Sequence, residues 1–138
     1  MKKNMIALLL SLAVSGSVFA EVVVIVHPSN GIALTPEQAS NIFLGKTSSF
    51  PGDGPVTPVD MAEGNAVREE FHSKVTKKDV SQLKAYWSKQ TFTGKGTPPK
   101  EMASAAEMKK FVASNPGAAG YIEKSALDGS VKAALSVP

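Results

Sequence analysis

An α/β domain, with helices flanking a mostly parallel or mixed sheet, is the fold class this sequence predicts. Three observations carry that expectation. Residues 22–26 (VVVIV) are an unbroken β-branched run, the pattern of a strand buried on both faces. Amphipathic segments, each opened by a helix-capping residue, follow along the chain. Two further apolar stretches, 118–123 (AAGYIE) and 131–137 (VKAALSV), come last, so strands and helices alternate instead of segregating.

The elements follow in order. His27-Pro28-Ser29-Asn30-Gly31 ends the first strand. Thr35-Pro36-Glu37-Gln38 then combines a threonine cap, proline at the first helical position and glutamine at the third. Ala39, Ile42 and Phe43 form that helix's buried stripe, and Gly45 terminates it. After a turn-rich loop at 47–55, residues 56–59 read as a short second strand. Asn65 caps the next helix, with Val67, Phe71 and Val75 spaced to face inward. Asp79 with Gln82 opens another, in which Val80, Leu83 and Trp87 form the apolar side and which ends near Lys89. Residues 91–101 read as irregular. Ser104 and Glu107 form a capping box for a last helix carrying Met108, Phe111 and Val112, stopped by Asn115-Pro116-Gly117. In the final strand the alternation Val131, Ala133, Leu135, Val137 predicts one buried face.

The first twenty residues stand apart from this pattern. Met1-Lys2-Lys3-Asn4 is a short basic start, residues 6–14 (IALLLSLAV) are apolar apart from Ser11, and Val18-Phe19-Ala20 fits the small-residue rule for cleavage. Residues 1–20 therefore read as a secretory signal peptide, too short for a transmembrane helix, and residues 21–138 as a single periplasmic domain. Loss of Lys2 and Lys3 lowers the formal charge from +3 to +1. Only the pairs Lys77-Lys78 and Lys109-Lys110 cluster in sequence, which argues against a nucleic-acid partner. With no cysteine there is neither a disulfide nor an acceptor for a lipid anchor.

Most familiar chemistry is missing. His27 and His72 are the only histidines, and no metal-ligand spacing surrounds them. His27 reads as a strand terminator, with a ligand contact at that strand end as the alternative, and His72, in mid-helix beside Phe71, as a surface residue. No serine sits in a GxSxG elbow, so no enzyme activity is expected. Thr93-Gly94-Lys95-Gly96-Thr97 fails as a phosphate loop, because Pro98-Pro99 prevents a helix from starting there. One stretch does point to a ligand. In 59–71 (VDMAEGNAVREEF) a basic residue, Arg68, stands in the first turn of a helix, where acidic residues are favoured. Gly64 and Asn65 allow close backbone approach, and free N–H groups on Ala66, Val67 and Arg68 would hold an oxyanion with the guanidinium. The competing reading is that Glu63, Glu69 or Glu70 neutralises Arg68 at the surface.

Residues 22–30 (VVVIVHPSN), 34–46 (LTPEQASNIFLGK), 56–71 and 115–121 (NPGAAGY) together resemble the phosphate-binding subgroup of type II periplasmic substrate-binding proteins, the soluble components of phosphate ABC transporters. The resemblance implies one lobe of that fold, since full members have two lobes and more than twice this length. It implies phosphate or a related oxyanion as ligand, with no cofactor. The implied partners are an ABC transporter permease or another envelope protein, or a second copy of the chain closing the cleft. The family's Arg-Ser-Asp-Gly-Ser-Gly-Thr type loop corresponds to residues 61–67 (MAEGNAV), where only the glycine and an acid remain. Met61 stands in the place of the family arginine and both hydroxyl positions are lost. Arg68 would replace the cation, and Ser29 and Asn30 would add donors if the loop after the first strand faces the same helix start. The alternative is an envelope interaction protein that keeps the lobe without the ligand, using the surface around Tyr86, Trp87 and Phe92. Tyr86 and Trp87, being adjacent on a helix, cannot both face the core well, and ordinary partial burial is the competing reading of that surface.

Overall fold

The computed structural model describes residues 21–138, so the signal peptide expected at 1–20 lies outside the described residues. The chain runs β1 (Val22–Val26), α1 (Pro36–Phe43), β2 (Thr57–Met61), α2 (Ala66–Lys74), α3 (Val80–Phe92), β3 (Lys100–Met102), α4 (Ala105–Ser114), β4 (Ala118–Glu123) and β5 (Lys132–Val137), with a short 3₁₀ turn at Lys124–Ala126. The five strands form one sheet in the order β3-β2-β4-β1-β5. It is mixed. β2 runs parallel to both β3 and β4, while β1 runs antiparallel to β4 and β5.

Every residue of β1 is fully buried, as its β-branched run predicts for an interior strand covered on both faces. The helices begin where their caps place them. Thr35 and Asp79 each close a full capping box, with Gln38 and Gln82 respectively. Ser104 Oγ accepts from Glu107 N–H, but the Glu107 carboxylate reaches one residue further back, to Ala103 N–H. Phe43, Phe71 and Tyr121 bring α1, α2 and β4 together. The Phe71 and Tyr121 rings stack 3.9 Å apart, and Phe43 meets Phe71 edge-on at 4.8 Å.

Three details differ from what the sequence predicts. Strand β3 was expected to be irregular. Its three residues Lys-Glu-Met have no apolar alternation, and its position comes from parallel pairing with β2 at the sheet edge. In β5 the register shifts where Val24 pairs with Leu135 but Ile25 pairs with Ala133. The extra residue, Ala134, is buried in place of Ala133. Helix α3 extends past Lys89 to Phe92. Tyr86 and Trp87 divide as adjacent helical residues are expected to, one in a small core and the other at its edge. Trp87 is buried with Leu44 and Leu83, and the half-buried Tyr86 packs beside them while its hydroxyl donates to Leu44 O.

Strand direction positions the site. The carboxyl ends of β2, β3 and β4 lie at one end of the sheet, and α2 and α4 begin there. Antiparallel β1 ends at the opposite side, since Val26 pairs with Ala119 near the start of β4.

Candidate functional site

Loop 62–65 links β2 to α2. Asn65 N–H donates to Ala62 O at 3.1 Å, and Gly64 adopts φ +89°, a left-handed conformation that favours glycine. Asn65 is the cap, as predicted. Its Oδ1 accepts from Val67 N–H at 2.9 Å and Arg68 N–H at 3.4 Å. These two N–H groups, expected to be free for an anion, are thus already satisfied within the helix start.

The guanidinium of Arg68 turns back over the end of β2. Its Nη1 donates to Met61 O at 2.8 Å, lies 3.3 Å from Glu101 Oε1 on β3, and approaches Asp60 Oδ2 at 3.8 Å. The acid that meets Arg68 laterally is therefore Glu101, not the neighbouring Glu63, Glu69 or Glu70. Glu63 pairs with Lys84 and Glu70 with Lys74. These pairings depend on tertiary placement, which the local charge pattern does not encode.

Beneath Arg68 lies a buried polar cluster that the sequence reading missed. His72, expected at the surface, is only 1% exposed. Its Nε2 is 2.9 Å from Asp60 Oδ2, and its Nδ1 is 2.8 Å from Thr76 Oγ1. Tyr121 donates its hydroxyl to Asp60 Oδ1, which also accepts from Met61 N–H at 2.9 Å. Burial would raise the Asp60 carboxyl, but hydrogen bonding and charge from His72, the Tyr121 hydroxyl and the Arg68 charge outweigh it and hold Asp60 below its ordinary value. Burial, with the Asp60 charge beside it, pushes the Tyr121 hydroxyl far up, so it stays protonated and donates. A signal was available in the sequence. An acid inside an apolar strand needs a partner, and His72 and Thr76 stand one helical turn apart.

The structure brings Gly64, Asn65, Ala66 and Arg68 together but not Ser29 or Asn30. Those two follow β1 at the opposite end of the sheet, separated from the α2 start by four strand steps, about 13 Å before the loops are added. Ser29 instead contacts His27 Nδ1 through its hydroxyl at 2.7 Å, and Asn30 Oδ1 accepts from Ile32 N–H. The expectation that they join the site fails because β1 runs against β4.

Two crevices flank Arg68. One, of about 350 Å³, lies between α2 and α3; the other, of about 620 Å³, is bounded by Glu63, Lys84, Trp87, Phe92 and Glu101. Among the described residues no group of His, Asp and Glu side chains is arranged to hold a metal, and no helix is long and apolar enough to cross a membrane.

Several solved structures share this arrangement of elements. A protein from Clostridium perfringens assigned as a phosphate ABC transporter substrate-binding protein, with phosphate bound, superposes with a TM-score of 0.66 at 24% identity over 83% of this chain and 45% of its own. The chain has the fold of one lobe of such proteins. An ABC-type phosphate transport receptor from Vibrio cholerae gives 0.64 at 24% identity, covering 83% of this chain and 46% of its own. PstS from Borrelia burgdorferi gives 0.59 at 14%, covering 83% and 47%. The chain thus spans about half the length of the proteins it matches. No protein-family model matches the sequence, and no curated protein matches it.

Proposed function

We infer that this chain is an exported periplasmic module that binds phosphate or a similar oxyanion, in phosphate uptake or sensing alongside an ABC transporter permease. One observation carries the reading. In a lobe matched by a phosphate-bound protein, Arg68 stands at the first turn of α2, beside Gly64 and at the carboxyl ends of the parallel strands. Open α/β sheets commonly receive ligands at that edge. Its guanidinium bonds run through Nη1, and the competing Glu101 carboxylate is 46% exposed and able to swing away. The anion then meets Arg68 and the Ala66 N–H. Because Asp60 and Glu101 oppose Arg68, binding is weak.

Thermal unfolding with and without millimolar phosphate or sulfate tests this reading, since a ligand of the folded state raises Tm. Glu101→Gln removes the competitor and enlarges the shift, whereas Arg68→Ala abolishes it. No shift with either anion, in the parent and in Glu101→Gln alike, defeats the reading.

A second reading, an envelope interaction protein that retains the lobe, is favoured by the same internal satisfaction. Asn65 occupies the helix donors and two carboxylates already face Arg68. A stoichiometric protein partner recovered from envelope extract, insensitive to phosphate, supports it.

A further inference from the structure

The crevice between α2 and α3 has features that a bare tetrahedral anion does not require. Its volume of about 350 Å³ lies in the range of small-molecule pockets, which hold an apolar body and a few polar anchors. The basic residues Arg68, Lys77 and Lys78 and the aliphatic residues Val80 and Leu83 line it. Its carboxylates are Glu69 and Asp79, and Asp79 Oδ1 is engaged in capping α3, accepting from Gln82 N–H at 2.8 Å. Lys78 holds its ammonium over the Tyr86 ring at 5.2 Å, and Arg68 is fixed in place by Met61 O.

Lys77 supplies an independent observation. Among the described residues it is the only non-glycine with positive φ, at 59°. That left-handed conformation lets Lys78 N–H return to His72 O at 3.2 Å as α2 closes. Glycine is the residue such a turn favours, and a side chain there retains backbone strain. What lysine adds over glycine is a cation beside the crevice.

We propose that this crevice binds a small organic oxyanion, a phosphate or phosphonate monoester bearing a compact apolar substituent. Its charged head lies between Arg68 and Lys77, and its substituent lies against Val80 and Leu83. The proposal rests on the oxyanion reading above: it keeps Arg68, places Lys77 instead of the Ala66 N–H as the second contact, and names the ligand class.

Titration calorimetry on the full chain, with phenyl phosphate and inorganic phosphate as probes, tests it. Phenyl phosphate binds about tenfold more tightly than inorganic phosphate, the worth of a modest apolar burial. Lys77→Gly weakens phenyl phosphate binding by about tenfold, as loss of a charge-assisted contact requires, without lowering Tm. Val80→Ser removes the preference for the ester and leaves inorganic phosphate binding intact. Equal affinity for the two probes, or unchanged ester affinity in Lys77→Gly, overturns the crevice proposal. The broader oxyanion reading then survives if inorganic phosphate still binds and Arg68→Ala abolishes it. Failure of both probes to bind overturns both.

Discussion

Asp60 is the residue on which the site's electrostatics depend. It lies at 3% exposure at the end of β2 and accepts from His72, Tyr121 and Met61 N–H while facing Arg68. Breaking such a buried arrangement leaves donors without an acceptor. Asp60→Asn turns an amide towards them and should cost about 3 kcal/mol, a Tm loss of roughly 10 °C for a domain of this size. The pH dependence has a definite sign. Because the folded carboxyl is held below its ordinary value, its contribution to stability is complete above about pH 4 and fades as the pH falls through the depressed value. Tm measured against pH should therefore fall more steeply in acid for the parent than for Asp60→Asn, and parallel curves would refute the assignment. This cluster was only half legible in the sequence. The acid at position 60 and the His72–Thr76 spacing are visible there. Their convergence with Tyr121 is not, because β2 and β4 are neighbours through a contact across about sixty residues.

At the scale of elements, local rules did most of the work, since caps and apolar stripes encode helix starts within four residues. They failed where pairing decides. β3 exists through its ladder with β2, the bulge at Ala134 moves the buried face of β5, and the direction of β1 sends Ser29 and Asn30 away from Arg68. The stretch NPGAAGY gains a physical reason from the packing of α4 on β4. A Cβ added at Gly120 would collide with Met108 Sδ and come within 3.3 Å of Val112 Cγ2. Gly120→Ala should then overpack this interface by about 2 kcal/mol. A lower urea midpoint at constant m would record it, and an unchanged midpoint would show that Met108 yields without cost.

For the molecule as a whole, charge is distributed unevenly around a formal total of +3. Residues 77–100 hold six lysines against the single acid Asp79, and five of those lysines are exposed. Along the sequence only adjacent pairs stand out; folding gathers Lys84, Lys89 and Lys95 onto α3 and its flanking turns. Arg68, by contrast, is balanced locally by Asp60 and Glu101. On the oxyanion reading, an anion approaching Arg68 consequently experiences a long-range field from α3 and only a partly neutralised contact at the site. Such a field is screened strongly, because the Debye length shrinks from about 30 Å at 0.01 M salt to about 10 Å at 0.1 M. Phosphate affinity should fall about fivefold across that interval if steering by α3 contributes to capture. Lys89→Glu with Lys95→Glu should flatten the dependence without touching the contact residues. A salt-independent affinity would mean that the anion is enclosed and held by Arg68 and the helix start alone. A guanidinium already opposed by two carboxylates is poorly placed for that.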